Sequence, residues 1–186
     1  APESPWPACL LDCVAAVIWA AKEGYKKIAI GGESAGAQLA VSTLLKLKEI
    51  RPDIKLCGSI LTYGCFDLSL TPSARNWGKR KLVLSTSTIK WFVQNLSIKK
   101  TNIADPIISP LYGKLKEMPP ALFQCGTLDP LIDDTAFMSF RWNQAGNDSR
   151  TIWYPGGVHA FDKFDLLLSK ELKQNTINFL LEIFSS

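Results

Sequence analysis

The sequence predicts a doubly wound, mainly parallel α/β sheet, on three observations. Short continuous apolar runs alternate with longer segments of helical apolar spacing, as expected of strands covered on both faces by crossover helices. Glycine-rich corners follow two of the runs, in "IAIGGESAG" and "YPGGVHAF". The 186 residues, 47% hydrophobic and 20% charged, suit one folded domain with a real core.

The elements follow in order. After a Pro-rich start, residues 8–23 read as a helix: Leu10, Leu11, Val14, Val17, Ile18 and Ala21 recur at helical spacing and Gly24 stops it. Lys27–Ile30 reads as a short buried strand, and residues 35–48 as a helix with Leu39, Leu44, Leu45 and Leu47 mostly inward. "LCGSILTYG" from Leu56, "PALFQCG" from Pro120 and "RTIWYPG" from Arg150 read as three further buried strands. A helix over about 132–145, closed by Gly146, separates the last two, and another spans about 166–184. The segment between the second and third strands, about 68–118, breaks the rhythm. Within it "STSTIKWFVQNLS" places Ile89, Phe92, Val93 and Leu96 on one helical face. So long a connection reads as an insertion over the carboxyl edge of the sheet. Residues 68–104 are expected to form an insertion within a single domain spanning 1–186.

Net charge is +4, with small basic groups (Lys26-Lys27, Lys79-Arg80-Lys81, Lys99-Lys100) scattered along the chain. They read as solvated surface, not as the concentrated stripe of a nucleic-acid footprint. No apolar run approaches the ~18 residues of a membrane span, and no signal-peptide pattern opens the chain. Cys9, Cys13, Cys57, Cys65 and Cys125 lie among apolar residues without C-x-x-C pairing. Buried thiols in a reducing, cytoplasmic setting are expected in place of a disulfide framework or zinc site. The single histidine and the cysteines lack ligand spacing, so no metal or organic cofactor is implied.

Gly32-Glu33-Ser34-Ala35-Gly36 is a G-x-S-x-G corner between a strand and a helix. Small neighbours relieve the crowding where a strand turns abruptly into a helix, and allow the serine a strained backbone with its Oγ exposed. The helix start also directs N–H groups at the corner, and the amide of Ala35 is the natural first oxyanion donor. A glycine-rich turn with a merely capping serine is the alternative. A hydroxyl nucleophile needs a base, and the only histidine, His159, follows the fourth strand on the same carboxyl edge. The orienting carboxylate is expected from Asp129 in "GTLDPLIDD", after the third strand, where Pro130 keeps Asp129 out of helical geometry. Asp67 in "YGCFD" is the rival acid. Asp133 and Asp134 read as favouring the N-terminus of the next helix. Glu33 should point away from the nucleophile.

These segments resemble the hormone-sensitive-lipase-like esterases of the α/β-hydrolase fold over essentially the whole chain. "GESAGAQLA" is similar to that family's Gly-Asp-Ser-Ala-Gly-Gly corner. "DPIISPLYGKLKEMPPALFQCGTLDPLIDD" is similar to its Asp-Pro…Ser-Pro-Leu…Pro-Pro-Ala segment and Asp-Pro-Leu acid motif, "YPGGVHAF" to its histidine loop, and "PESPWPACLLDCVAAVIWA" to the helix before the nucleophile strand. The resemblance implies a Ser34–Asp129–His159 triad cleaving short-chain carboxylic esters through an acyl-enzyme, with the insertion over 68–104 forming part of the lid.

Glu33 stands where the family has aspartate, and Ala37 and Ala160 where it has glycine. The family's His-Gly-Gly-Gly stretch, which completes the oxyanion hole, does not occur. That absence and the start at Ala1 read as the C-terminal portion of a longer enzyme, with its oxyanion hole incomplete. The Lys27–Ile30 strand would then be a bare sheet edge, open to self-association or to pairing with an N-terminal segment. Two alternatives stay open: a non-catalytic fragment, and a receptor-like ligand-binding homologue. Amide hydrolysis by the same triad also stays open.

Overall fold

A computed structural model describes residues 3–80, 82–96 and 102–185. Lys81, Lys99 and Lys100 of the basic groups, and residues 97–101 of the expected lid, lie outside the described residues. Helix α1 spans Ala8–Lys22 and strand β1 Ala29–Glu33. Helix α2 follows at Ala35–Ile50 and strand β2 at Gly58–Thr62. The long connection carries α3 (Pro72–Asn76) and α4 (Thr86–Asn95). Strand β3 (Ala121–Leu128), α5 (Ile132–Gln144), β4 (Ser149–Val158) and α6 (Leu167–Ser185) complete the order.

The four strands form one sheet in chain order, β1-β2-β3-β4, with every neighbouring pair parallel. Alternation along the inner strands sends side chains to opposite layers. Leu61 and Phe123 pack with Val41 and Leu44 of α2 and Met138 and Trp142 of α5. Leu122, with Ile60 and Ile152, packs on the other face against Phe179 and Ile183 of α6. Helix α1 lies outside α2, joined through Leu10, Val14, Val17 and Leu47. The sheet is therefore doubly wound, as the alternating runs predict.

Several expectations need correction. The first strand starts two and ends three residues later than Lys27–Ile30, because Gly31 and Gly32 continue the ladder opposite Ile60 and Leu61. The glycine pair reads as a strand terminator, yet parallel pairing holds it extended. The strands are also not all buried: β2 and most of β3 are, whereas β1 and β4, at the two edges of this sheet, are partly exposed. Likewise only Cys125 is fully buried; the other four cysteines are half-buried, and all five are free.

Within the 68–118 connection, Leu70, Ala74, Leu84 and Ile89 pack on Leu131 at the start of α5. Ser85 caps α4 by accepting from the Thr88 amide at 3.2 Å. Of the predicted apolar face only Ile89 is buried, while Phe92 is 56% exposed. Asp133 and Asp134 stand in the first turn of α5, but their side chains bind this connection. Asp134, fully buried, accepts from the amides of Phe66 (2.7 Å) and Asp67 (2.9 Å) and from the Thr71 hydroxyl (2.5 Å). Asp133 accepts from the Ser73 amide at 2.7 Å, and Ser73 Oγ donates to the Pro130 carbonyl at 2.7 Å. These bonds pin the start of the connection to the loop that carries Asp129.

Candidate active site

Three strands end one residue before the three expected site residues: β1 at Glu33, β3 at Leu128 and β4 at Val158. Ser34 takes φ 54°, ψ −119°, a strained backbone for a residue with a Cβ. The Ser34 amide donates to the Thr62 carbonyl at 3.0 Å, so the ladder continues through the corner. The Ser34 side chain makes no capping bond to α2, which leaves Oγ for another partner. Gly32 makes the corner possible, since a Cβ there would stand 2.2 Å from the Gly36 carbonyl carbon.

Register brings the other two residues together. Leu128 pairs with Val158 after an irregularity in the β3–β4 ladder, so Asp129 and His159 follow side by side. The approach requires glycine, as a Cβ on Gly126 would lie 2.1 Å from the Gly157 carbonyl oxygen. Asp129 Oδ2 lies 2.8 Å from His159 Nδ1 and its Oδ1 accepts from the Leu131 amide at 2.8 Å. His159 Nε2 lies 3.0 Å from Ser34 Oγ. Asp129 is fully buried and His159 only 7% exposed, so water competes little for these bonds. All three sequence-predicted side chains thus meet in one hydrogen-bonded row. Ala35, whose amide is the expected oxyanion donor, opens α2 directly after Ser34. A helix's first turn leaves N–H groups without helical partners.

The rival carboxylate is engaged elsewhere. Asp67 accepts from the amide and hydroxyl of Ser69 (2.8 and 2.6 Å) and from the Tyr112 hydroxyl (3.0 Å). A cavity of about 520 Å³ opens beside Ser34 and His159, walled by Leu39, Leu131 and, from the connection, Leu68, Leu84, Ile89, Phe92 and Val93. The predicted apolar face of α4 therefore serves the cavity more than the core. Cys65 also lines it. Burial, then the nearby carboxylates of Asp134, Asp67 and Asp129, push its thiol well up, so it stays neutral and is no competing nucleophile. Among the described residues, no three His, Cys, Asp or Glu side chains gather where a metal ion could sit. None of the described helices is long and apolar enough to cross a membrane.

Sequence reading misses Tyr63, whose ring meets the His159 ring edge-on with centroids 4.8 Å apart. Its only trace is its place at a strand end in "LTYG".

Comparison with known proteins agrees with this architecture. Residues 1–163 match the family described as having the alpha/beta hydrolase fold. The chain is 31% identical over 169 residues to an esterase of Acinetobacter venetianus, covering 89% of the chain and 55% of the relative. It is 30% identical over 163 residues to an acetyl-hydrolase of Streptomyces hygroscopicus, covering 86% and 54%. The chain therefore spans about half the length of these relatives. Among solved structures, a Pyrobaculum calidifontis esterase superposes with a TM-score of 0.84 at 28% identity, over 92% of this chain and 59% of that one. A hormone-sensitive lipase from a metagenome library gives 0.86 at 28% identity, over 95% and 60%. With fold, corner and sequence all in agreement, the chain belongs to the α/β-hydrolase family, in its hormone-sensitive-lipase-like branch.

Proposed function

We propose that the chain carries the catalytic residues of a serine carboxylesterase acting on short-chain esters. Ser34 is the nucleophile, His159 the base and Asp129 the orienting acid. The observation that carries the reading is the row Asp129 Oδ2–His159 Nδ1–Ser34 Oγ, closed at 2.8 and 3.0 Å. With Nδ1–H held by Asp129, Nε2 presents its lone pair to the Ser34 hydroxyl. Ser34 Oγ attacks the ester carbonyl while its proton passes to Nε2. The C–O bond to the leaving group breaks, and His159 returns that proton to the departing alkoxide. Water then cleaves the acyl-enzyme by the same route in reverse. The Ala35 amide and the start of α2 stabilise the oxyanion.

The described residues of the 68–104 insertion form part of the lid of this site. In support, Phe92 and Val93 of α4 share the cavity wall with Ser34. The cavity's apolar lining suits an acyl or alkyl group.

The test is hydrolysis of p-nitrophenyl butyrate together with labelling by a fluorophosphonate, for the chain and its Ser34→Ala variant. Turnover and label that both vanish with Ser34 are expected. Turnover that survives Ser34→Ala, or a folded chain whose Ser34 takes no label, overturns the reading.

A further inference from the structure

Beside the proposed triad runs a second row of polar side chains that the reaction itself does not use. Tyr63 follows β2 directly, in a left-handed conformation (φ 37°), and its ring packs against His159. Its hydroxyl donates to Asp162 Oδ1 at 2.5 Å, both residues being buried. Asp162 Oδ2 pairs with Lys163 Nζ at 2.9 Å, and Lys163 Nζ pairs with Glu33 Oε2 at 2.6 Å. The row thus begins one residue before the nucleophile and ends three and four residues after the base. The segment it holds needs holding. Ala160 is left-handed (φ 57°), directly after His159, and leads into a single 3-10 turn over Phe161–Lys163.

We propose that Tyr63, Asp162, Lys163 and Glu33 are positioning residues that clamp the histidine loop to the serine corner and fix the His159–Ser34 distance. This rests on the triad reading above. It gives Glu33 a role in the corner motif: its carboxylate is directed away from the cavity and onto the histidine loop. Ionisation fits the clamp. Burial works against the charge of Asp162, but Tyr63 and Lys163 outweigh it and hold its carboxyl below the usual range. Burial, then Asp162 and Glu33, push the Tyr63 phenol up, so it remains a donor.

The two ends of the row differ in strength. Tyr63–Asp162 is buried, whereas the Lys163 and Glu33 side chains are 58% and 46% exposed. Exposed pairs contribute little, and a buried hydroxyl–carboxylate bond much more. Tyr63→Phe, which keeps the ring, should slow fluorophosphonate labelling of Ser34 by about tenfold or more, because small displacements of a catalytic group are expensive. Lys163→Met should slow it by about two- to fivefold. Lys163→Arg should retain the wild-type rate, and Glu33→Gln with Lys163→Met should be no slower than Lys163→Met alone.

The chain's single histidine supplies a second readout. The Nδ1–H resonance of His159 should shift or broaden in Tyr63→Phe at temperatures where the variant is fully folded. A merely structural role would lower the unfolding temperature and leave labelling rate and resonance of the folded protein unchanged, and that result overturns the clamp. Failure of the triad reading looks different: Ser34 of the wild type then takes no label at all, and the positioning role falls with it.

Discussion

Asp134 offers a test of how burial governs this fold. Its carboxyl is fully buried and accepts three hydrogen bonds, from the Phe66 and Asp67 amides and the Thr71 hydroxyl. Burial nevertheless dominates: it raises the pKa to about 7 from 3.8, with the Asp67 carboxylate adding to the rise and the three donors opposing it. The sign follows from linkage. Between about pH 4 and 7 the unfolded chain has lost this proton and the folded chain keeps it. The stabilising contribution is therefore fully present below 3.8 and is lost as pH rises through about 7. At 1.36 kcal/mol per unit of pKa, the loss is on the order of 4 kcal/mol. Asp134→Asn has the same shape, can accept from both amides, and cannot titrate. Urea unfolding of both proteins from pH 3.5 to 8 isolates the effect, because the carboxyl groups away from Asp134 cancel in the difference. The stability of the variant relative to wild type should climb by on the order of 4 kcal/mol across that range and level off above pH 8. In melting temperature this is about 8–16 °C for a chain of this size. A difference that stays flat, or falls with pH, would show that Asp134 is ionised in the fold throughout, and the reasoning from burial would be wrong.

Three further outcomes are expected. Asp129→Asn should lower kcat for p-nitrophenyl butyrate by about 10⁴ through the wrong histidine tautomer, while Asp67→Asn, whose partners are Ser69 and Tyr112, should stay within about tenfold of wild type; equal losses in steady-state assays would misplace the acid. Gly32→Ala, whose new Cβ would meet the Gly36 carbonyl carbon at 2.2 Å, should prevent soluble expression, whereas Gly36→Ala, with nothing within 4 Å of the new carbon, should raise stability by up to about 1 kcal/mol through helix propensity; chemical denaturation and yield decide. Ile89→Ala, buried at 4% exposure, should cost about 2–4 kcal/mol, while Phe92→Ala on the exposed side of the same helix should leave stability within about 0.5 kcal/mol and raise KM for hexanoate more than for acetate esters.

What the sequence makes legible here is set by locality. Strand-to-helix alternation and the G-x-S-x-G corner are local patterns, and the positions of Ser34, Asp129 and His159 directly after β1, β3 and β4 follow from them. The boundary of β1 is not local. Gly31 and Gly32 look like punctuation, and only pairing with Ile60 and Leu61 makes them strand. The same holds for Asp134, whose place in a first helical turn points to the helix dipole, while its carboxylate actually serves amides 67 and 68 residues away. Tyr63 carries no motif at all. Its contact with His159 depends on a left-handed turn and on sheet order, neither of which has a signature in single-residue chemistry. Apolar runs overstate the burial of strands for a similar reason: they report composition, and edge position is a property of the assembled sheet.

The order β1-β2-β3-β4 has a consequence for how the site comes into being. Each strand finds its partner in the strand made just before it, so the sheet can lengthen from one side as the chain leaves the ribosome. Ser34 is then in place early, and its corner is complete once β2 supplies the Thr62 carbonyl. Asp129 arrives with the third strand and His159 only with the fourth. Until that last strand docks, Ser34 Oγ lacks the His159 Nε2 that lies 3.0 Å from it in the finished fold. Strand order thus makes the Asp129–His159–Ser34 row the last feature of these four strands to close.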